Sequence, residues 1–246
     1  MKKAIILAAG LGKRLGNLTK DIPKCLLVVD EKSKKTLLDF SLSALLDNGI
    51  SEIVIVTGFA EEALKNHISI NWSDKLTVKF VFNDKFANYN NIYSAYLVRD
   101  LWDDETVLLN SDIIFHPDIL RDLHHESFLI VDDSKTLTAE SMKIEIDKEG
   151  RIKKINKNLD IKTSFGEYIG ITYLRGVERV KFLESLEKNI KDKKFDLYYE
   201  DALAHVLKDI SVFPFSTSGK LWTEVDTEED YNLAKDIAKK IKTVTV

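Results

Sequence analysis

A short glycine-rich loop near the amino terminus carries the residue types that hold a polyanion. It spans residues 10–14 and follows an apolar, β-branched run at residues 4–9 that is typical of a buried strand. Gly10 and Gly12 let the backbone turn tightly and bring its N–H groups close to a ligand. Lys13 and Arg14 add positive charge, and Lys24 follows in a Pro-Lys pair. We therefore predict phosphate binding, with a nucleoside triphosphate as the first hypothesis and an ordinary strand-to-helix turn as the alternative.

Two carboxylates further along the chain are candidate metal ligands. Asp112 closes the turn sequence Asn-Ser-Asp after a predicted strand, and Asp226 ends the sequence Trp-Thr-Glu-Val-Asp. Mg²⁺ takes few protein carboxylates and completes its shell with phosphate oxygens and water, so the pair suits a metal beside a triphosphate. The alternatives are a simple Asx turn at Asp112 and a helix cap at Asp226, with Glu229 completing a capping box.

Aromatic, amide and acidic side chains form a third group of candidates. We assign Asn83 and Asn91, which lie in an unusual polar-aromatic segment at residues 83–94, to the nucleotide site. A ring cluster holds an ammonium group by cation–π attraction, and acids bind a cationic or hydroxyl-bearing acceptor. Core packing for the rings and solvated surface for the acids remain the alternatives. The candidate acceptor-binding residues are Tyr89, Tyr93, Lys157, Glu167, Tyr168, Tyr199, Glu200, Trp222 and Glu224.

The elements that must position these residues alternate between strands and helices. This pattern predicts an α/β fold, a Rossmann-like, doubly wound sheet in which ligands bind beyond the carboxyl ends of the strands. The second half has hairpin-like alternation, so the sheet becomes mixed. We predict a single domain over residues 1–246, with a nucleotide-binding core at about 1–134. A β-rich acceptor region at about 135–225 and a carboxyl-terminal helix at 227–242 complete it.

Composition limits the function. The chain has 246 residues and a net charge of -4, which argues against a general nucleic-acid surface. The single cysteine, Cys25, fits a reducing cytoplasm, and we expect neither a signal peptide nor a membrane span. The sequence contains neither an HExxH nor a Gly-x-Ser-x-Gly pattern, so we expect neither a metalloprotease nor a serine hydrolase. We expect His124 and His125 to be solvent exposed.

The glycine-loop sequence Leu-Ala-Ala-Gly-Leu-Gly-Lys-Arg-Leu, followed by Pro-Lys, resembles the signature of nucleotidyltransferases that include the sugar-1-phosphate pyrophosphorylases. The resemblance runs over most of the chain. The segments at residues 89–94, 166–171, 199–201 and 222–226 are similar to those of small bacterial phosphocholine cytidylyltransferases. The resemblance implies a GT-A-like nucleotidyltransferase fold.

The resemblance also implies roles for individual residues. Those that would line the base and ribose are Leu7, Ala8, Ala9 and Gly10. Gly12, Lys13 and Arg14 would hold the β- and γ-phosphates, and Lys24 would touch the α-phosphate. Asp112 and Asp226 would bind Mg²⁺. Lys157 matches the acceptor-phosphate lysine of the sugar enzymes only loosely, because it stands in Asn-Lys-Asn and not in Glu-Lys-Pro.

The predicted function is therefore a magnesium-dependent cytidylyltransferase. It would transfer CMP from CTP to a small phosphorylated or phosphonate acceptor such as phosphocholine and release pyrophosphate. One alternative is a sugar-1-phosphate nucleotidyltransferase, and a second is a catalytically inactive nucleotide-binding module. The predicted partners are small-molecule substrates, without nucleic acid or membrane, and a homodimer is left open.

Overall fold

The computed structural model describes residues 2–121, 123 and 126–241. His124, His125 and the predicted helix end at Lys242 lie outside these residues. The chain divides into two compact units. Unit 1 contains Met1–Asn88, Leu109–Asp122 and Lys220–Val246, and unit 2 contains Tyr89–Leu108 and Leu123–Gly219. The chain passes from unit 2 to unit 1 inside one strand, between Leu108 and Leu109.

The described residues contain strands throughout and helices that separate them. The strands are β1 (Lys3–Leu7), β2 (Val28–Asp30), β3 (Lys35–Thr36), β4 (Glu52–Thr57), β5 (Thr77–Phe82), β6 (Thr106–Asn110), β7 (Ile113–Phe115), β8 (Phe128–Asp132), β9 (Lys143–Ile146), β10 (Ile152–Asn156), β11 (Gly166–Tyr173), β12 (Phe213–Ser216) and β13 (Trp222–Glu224). The helices are α1 (Leu37–Asp47), α2 (Glu61–Asn71), α3 (Asn91–Leu97), α4 (Gly176–Lys191), α5 (Tyr199–Ala204) and α6 (Glu228–Lys240).

Unit 1 is built on parallel strands joined by helices. β1 pairs with β4, and β4 pairs with β5, both in parallel register. The four residues from Ala4 to Leu7 are buried, as expected for a strand covered on both faces. Helix α1 runs from Leu37 to Asp47, and its C-cap residue Asn48 precedes Gly49. This arrangement confirms the α/β class predicted from the alternating pattern.

An apolar cluster in unit 1 packs helix α6 against the short strands β2, β7 and β13. It joins Leu27, Ile114 and Val225, which are almost fully buried, to the inner face of α6. The Tyr231 hydroxyl of α6 donates a 2.6 Å hydrogen bond to the Val28 carbonyl oxygen. Because these apolar residues lie one to three positions from Lys24, Asp112 and Asp226, the cluster fixes the backbone beside each of those charged side chains.

The strands of unit 2 pair mostly in antiparallel register. β9 and β10 form the predicted hairpin, β11 pairs with both β9 and β8, and β12 adds to β8 in parallel. All residues of β11 are buried. Helices α3, α4 and α5 pack against one another. The mixed character predicted for the second half of the chain is therefore confirmed.

The alternative of a helix cap at Asp226 is wrong, and two other segments form short 3-10 turns. The last helix is capped by Thr227, whose hydroxyl forms a capping box with Asp230, and not by Asp226 with Glu229. Residues Lys24–Leu26 form a 3-10 turn, and the strand β2 follows it at Val28–Asp30. Helix α3 ends at Leu97, because the chain continues as a 3-10 turn at Arg99–Leu101. Among the described helices, none is both long and apolar enough to cross a membrane.

Candidate active site

A cluster of two cations and two carboxylates lies in unit 1. The Lys24 ammonium lies 2.6 Å from Asp112 Oδ2 and 2.9 Å from Asp226 Oδ1. The Arg14 guanidinium reaches the other oxygen of Asp226, with Nη2 2.9 Å from Oδ2. Two cations of one amino-terminal motif are thus brought together with two aspartates that lie far from that motif and from each other in the sequence.

Three different turns deliver these side chains. Pro23 is extended and starts the 3-10 turn that presents Lys24. Asp112 lies in the turn between β6 and β7, and Asp226 follows β13. β7 and β13 pair in antiparallel register, and the Val225 N–H donates a 2.8 Å hydrogen bond to the Asp112 carbonyl oxygen. This backbone contact holds the two aspartates beside each other.

The glycine loop owes its shape to Gly12. This residue has φ of +60°, and a Cβ atom there would lie 3.2 Å from a methyl group of Thr19. The Thr19 hydroxyl donates a 2.9 Å hydrogen bond to the Gly12 carbonyl oxygen. Gly10, by contrast, has open space where a Cβ would stand, so no neighbour demands a glycine there. That open space lies where we expect the nucleotide.

The electrostatics of the cluster favour a charged lysine. Burial disfavours the Lys24 ammonium, but the charges and hydrogen bonds of Asp112 and Asp226 outweigh it and raise the pKa of Lys24 above its ordinary value. Lys24 therefore stays protonated throughout the physiological range. It neutralises the aspartate pair and remains a strong hydrogen-bond donor to any oxyanion that enters.

The acidic groups of this site fit a hard divalent cation. Asp112, Glu224 and Asp226 each offer a carboxylate oxygen, and these oxygens lie within 4.8 Å of one another. Asp112 Oδ1 is buried and accepts no hydrogen bond from the described part of the chain. A buried carboxylate oxygen without a donor is costly unless a ligand supplies the partner. The oxygen-only donor set suits Mg²⁺.

A chain of hydroxyl groups runs through the interior of unit 2. The Tyr168 hydroxyl lies 2.6 Å from Thr172 Oγ1 and 2.7 Å from the Tyr199 hydroxyl. Next to it, burial raises the pKa of Glu200 to about 7, and the hydrogen bonds from Tyr199 and Asn91 only partly oppose that shift. Glu200 Oε2 is buried and has no hydrogen-bond partner within the described residues. Glu200 is thus poised between its neutral and charged forms at neutral pH.

The polar-aromatic segment attaches the start of α3 to the start of α5. Asn91 Oδ1 accepts a 2.9 Å hydrogen bond from the Tyr199 N–H, so this amide fixes the loop that carries Glu200. The Tyr89 ring stacks on Phe195, with 4.0 Å between centroids, and meets Tyr93 edge-on at 5.2 Å. Sequence reasoning missed Phe195, because nothing local marks a stacking partner more than a hundred positions away.

The remaining acceptor candidates of unit 2 lie in ion pairs. Glu167 is almost fully buried, and its Oε2 lies 3.2 Å from the Lys135 ammonium. Lys157 is half-exposed, and its ammonium lies 3.5 Å from Glu140 Oε2. Lys135 was not among the sequence candidates, since a lysine in a polar loop carries no distinguishing pattern.

The other nucleotide candidates lie in unit 1 with different partners. Leu7, Ala8 and Ala9 are buried at the end of β1. Asn83 is also buried, and its Oδ1 accepts a 2.8 Å hydrogen bond from the Lys85 N–H. Lys13 is exposed. Trp222 is buried opposite Phe115 on the β13–β7 ladder, whereas Glu224, two residues on, is exposed beside Asp226.

Comparison with known proteins agrees with this chemistry. The model of the family described as "Nucleotidyl transferase" matches residues 3–129, about half of the chain. The chain therefore belongs to the nucleotidyl transferase family and is a nucleotidyltransferase. The resemblance noted in the sequence motifs is confirmed.

Two curated relatives align over nearly the whole chain. Choline-phosphate cytidylyltransferase of Streptococcus pneumoniae is 28% identical over 239 residues, which cover 96% of this chain and 98% of the relative. CTP:phosphoglutamine cytidylyltransferase of Campylobacter jejuni is 28% identical over 256 residues, covering 92% of this chain and 96% of the relative. A solved structure of CTP:phosphocholine cytidylyltransferase from Streptococcus pneumoniae has a TM-score of 0.80 at 27% identity, covering 97% of this chain and 100% of the other.

Proposed function

We propose that the chain is a cytidylyltransferase that transfers CMP from CTP to a small phosphorylated acceptor and releases pyrophosphate. The observation that carries the proposal is the ion cluster of Lys24 with Asp112 and Asp226, which combines a metal-binding acid pair with a phosphate-binding cation. The choice of CTP rests on the relatives, which are named as cytidylyltransferases for different acceptors.

In this proposal, the glycine loop binds the leaving end of the triphosphate. The N–H groups around Gly12, with Lys13 and Arg14, hold the β- and γ-phosphates. Arg14 is exposed apart from its contact with Asp226, so its guanidinium is free to form a bidentate contact with a phosphate. The leaving pyrophosphate would then develop its charge against two cations.

Lys24 would donate hydrogen bonds to the α-phosphate, where the new bond forms. Asp112 and Asp226, with Glu224 beside them, would hold Mg²⁺. When bound, the metal ion would neutralise phosphate charge and orient the triphosphate. An oxygen of the acceptor phosphate attacks the α-phosphorus, and the bond to the β-phosphate oxygen breaks in line. Because the second pKa of a phosphate monoester is about 6, the acceptor is already largely ionised and requires no general base.

Unit 2 would supply the contacts that select the acceptor. The hydroxyl chain of Tyr168 and Tyr199 and the carboxyl group of Glu200 present hydrogen-bonding groups on a rigid framework. Tyr89 and Tyr93 add ring surface, and Lys157 a cation. An intact set of Arg14, Lys24, Asp112 and Asp226 argues against an inactive binding module.

The experiment is pyrophosphate release with Mg²⁺, testing CTP, UTP, dTTP, ATP and GTP in turn against phosphorylated alcohols, amines, amides and sugars. Release with CTP and a non-sugar acceptor supports the proposal. Release that prefers UTP or dTTP with a sugar 1-phosphate would show that the protein is a sugar-1-phosphate nucleotidyltransferase. Tight CTP binding without release across the panel would favour a binding module.

A further inference from the structure

A short sequence pattern recurs at the starts of helices α1 and α6. Residues 36–40 read Thr-Leu-Leu-Asp-Phe, and residues 227–231 read Thr-Glu-Glu-Asp-Tyr. In both segments the threonine is the N-cap residue, and the aspartate three positions later completes a capping box. The ring that follows the aspartate, Phe40 in α1 and Tyr231 in α6, packs in the apolar cluster of unit 1. The two helices therefore begin with the same type of cap.

The cap of α6 makes one contact that a capping box does not require. Asp230 Oδ2 accepts hydrogen bonds from the Thr227 N–H and the Thr227 hydroxyl, both at 2.8 Å, and these contacts belong to the box. The same oxygen accepts a 3.1 Å hydrogen bond from the Asp226 N–H. Asp226 precedes the N-cap residue and is a candidate metal ligand. The helix cap is thus joined directly to the candidate metal site.

This additional contact restricts the backbone of Asp226. The N–H groups of Asp226 and Thr227 are consecutive, and both point at one carboxylate oxygen. The only soft dihedral angles between these two groups are φ and ψ of Asp226, so their convergence restricts both angles. On the other side, the Val225 N–H is bonded to the Asp112 carbonyl oxygen. Asp230 therefore sets the direction in which the Asp226 side chain leaves the backbone.

The helix that carries Asp230 is itself anchored in unit 1. Tyr231, the next residue, is 7% exposed, and its hydroxyl is bonded to the Val28 carbonyl oxygen. The buried residues of the same helix face pack in the apolar cluster that also contains Val225. Because the helix cannot shift without disturbing this packing, the Asp230 carboxylate is a fixed support for the Asp226 backbone.

We propose that Asp230 is a positioning residue, and that its carboxylate holds the Asp226 backbone in the conformation that lets the Asp226 side chain bind Mg²⁺. The inference rests on the proposed function, in which Asp112 and Asp226 bind the metal ion. Mg²⁺ demands near-ideal octahedral geometry with ligands at about 2.0–2.1 Å, so a carboxylate on a loosened backbone binds it less tightly. Asp230 then acts on the metal only through Asp226.

Two substitutions of Asp230 separate its geometry from its charge. Asp230→Ala removes all three hydrogen bonds, so the affinity for Mg²⁺, measured by calorimetry without nucleotide, should fall about tenfold. Asp230→Asn also loses the charge, but its amide oxygen still accepts the Asp226 N–H, so the loss should stay below about threefold. Equal losses in the two variants would show that Asp230 acts through its negative charge and would overturn the inference.

Pyrophosphate release distinguishes positioning from a purely structural role. In Asp230→Ala the Mg²⁺ concentration for half-maximal release should rise about tenfold, while kcat at saturating Mg²⁺ stays within about threefold of the wild type. Loss of a cap that only stabilises the fold would reduce the amount of folded enzyme. The rate would then fall at every Mg²⁺ concentration with the half-maximal concentration unchanged, and that result contradicts the inference.

Two other aspartates provide matched controls. Asp201 occupies the third position of α5 in unit 2 and accepts a 2.8 Å hydrogen bond from the N–H of its N-cap residue, Tyr198. Asp201→Ala therefore removes a capping acid away from the metal candidates. Asp236 is an exposed residue of α6 that lies 2.7 Å from the Lys239 ammonium, so Asp236→Ala removes a negative charge from the same helix. Both variants should bind Mg²⁺ within about twofold of the wild type.

Urea unfolding followed by circular dichroism checks that each variant is folded. If Asp230→Ala does not fold, Asp230→Glu takes its place, because glutamate at this position keeps the capping box and the charge but moves the carboxylate by one methylene group. A larger loss of Mg²⁺ affinity in Asp230→Glu than in Asp230→Asn supports the positioning role, and the reverse order overturns it.

Failure of the inference and failure of the proposed function give different results. Weaker Mg²⁺ binding in Asp230→Ala, with recovery in Asp230→Asn, supports the inference whichever acceptor is used. Unchanged affinity in Asp230→Ala, or no Mg²⁺ binding by the wild type, overturns it, and CTP-dependent pyrophosphate release then still supports the cytidylyltransferase. If no triphosphate is consumed, the cytidylyltransferase proposal fails, and the Mg²⁺ affinities decide the inference by themselves.

Discussion

In unit 1, Asp112 and Asp226 share the Lys24 ammonium and remain partly open to solvent, with side-chain exposures of 21% and 19%. In unit 2, Glu200 is 6% exposed, and its neighbours are hydroxyl and amide groups in place of a cation within the described residues. The first arrangement pairs the carboxylates with a cation and leaves them accessible. The second raises the pKa of a carboxyl group to about 7, so that it carries a proton for part of the time at neutral pH.

The comparison shows how one chain prepares acids for different tasks. A carboxylate that is to bind a metal ion must stay ionised, and a nearby cation keeps it so until the metal arrives. A carboxyl group enclosed by tyrosines, as at Glu200, becomes a donor or an acceptor depending on pH. The predictions below disturb each arrangement in turn.

Lys24→Met removes the cation of unit 1 and should give the largest effect on activity. Without the ammonium, the α-phosphate loses a donor and the aspartates lose their partner, so kcat/KM for CTP should fall by about 100-fold or more. Affinity for Mg²⁺ should rise, because a competing positive charge is gone. Pyrophosphate release and metal titration by calorimetry measure both effects. Lys34→Met, at an exposed lysine paired with Glu31, is the control and should change neither.

Glu200→Gln should change how the free energy of unfolding depends on pH. The pKa of Glu200 is raised from 4.5 to about 7 in the folded state, so the folded protein binds the proton more tightly than the unfolded chain. The tighter proton binding adds to the free energy of unfolding. This addition is complete below the unfolded pKa of Glu200 and is lost as the pH rises through 7. The loss amounts to about 3 kcal/mol at most.

Urea unfolding of the wild type and of Glu200→Gln, at about pH 4.5 and about pH 8, measures this difference. The wild type should lose stability relative to the variant as pH rises. A pH-independent difference between the two would mean that folding does not raise the pKa of Glu200, and the contrast between the units would fail.

Tyr168→Phe removes the central hydroxyl group of the chain and keeps the shape of the ring. The variant leaves Thr172 and the Tyr199 hydroxyl without their shared partner, which should cost about 1–2 kcal/mol of the free energy of unfolding. Tyr198→Phe is the matched control, because that ring is 45% exposed. Equal midpoints in urea for the two variants would show that the buried chain contributes nothing to stability.

Asn91→Ala should give the smallest effect. It removes the acceptor for the Tyr199 N–H at the start of α5, a loss comparable to that of a helix cap, about 1 kcal/mol. The KM for the acceptor should rise more than the KM for CTP. The reason is that Asn91 holds the start of α5 in unit 2, the unit that we propose to bind the acceptor. Asn158→Ala, at an exposed turn, should leave both constants unchanged.

The site of unit 1 was largely predictable from the sequence. Gly12, Arg14 and Lys24 lie in one local motif, and a topology rule places Asp112 near it, at the carboxyl end of a strand. The helix cap was not predictable, since Asp226, Thr227, Glu229 and Asp230 all suit a cap and only the backbone path selects the pair Thr227 and Asp230. Glu224 was predicted to bind the acceptor, yet it lies beside the metal candidates.

Unit 2 was less predictable because its key contacts are long-range. Lys143 reads as an exposed residue of an alternating strand, and only the folded loop reveals that three carbonyl groups bury its charge. Phe195 and Lys135 reach their partners across loops whose conformation no local pattern encodes. Local motifs therefore located the charged cluster of unit 1, whereas the contacts of unit 2 depend on tertiary packing.

The most direct test of the central claim is a Mg²⁺ titration of CTP-dependent pyrophosphate release in wild type, Asp112→Asn and Asp118→Asn. Asp118 belongs to the same unit and pairs with Arg121 at the surface, so it controls for the loss of one negative charge. We expect saturable Mg²⁺ dependence in the wild type and in Asp118→Asn, and at least about a 100-fold loss in Asp112→Asn. Activity of Asp112→Asn within about twofold of the wild type, at the same Mg²⁺ requirement, would contradict the assignment of the metal to this carboxylate pair.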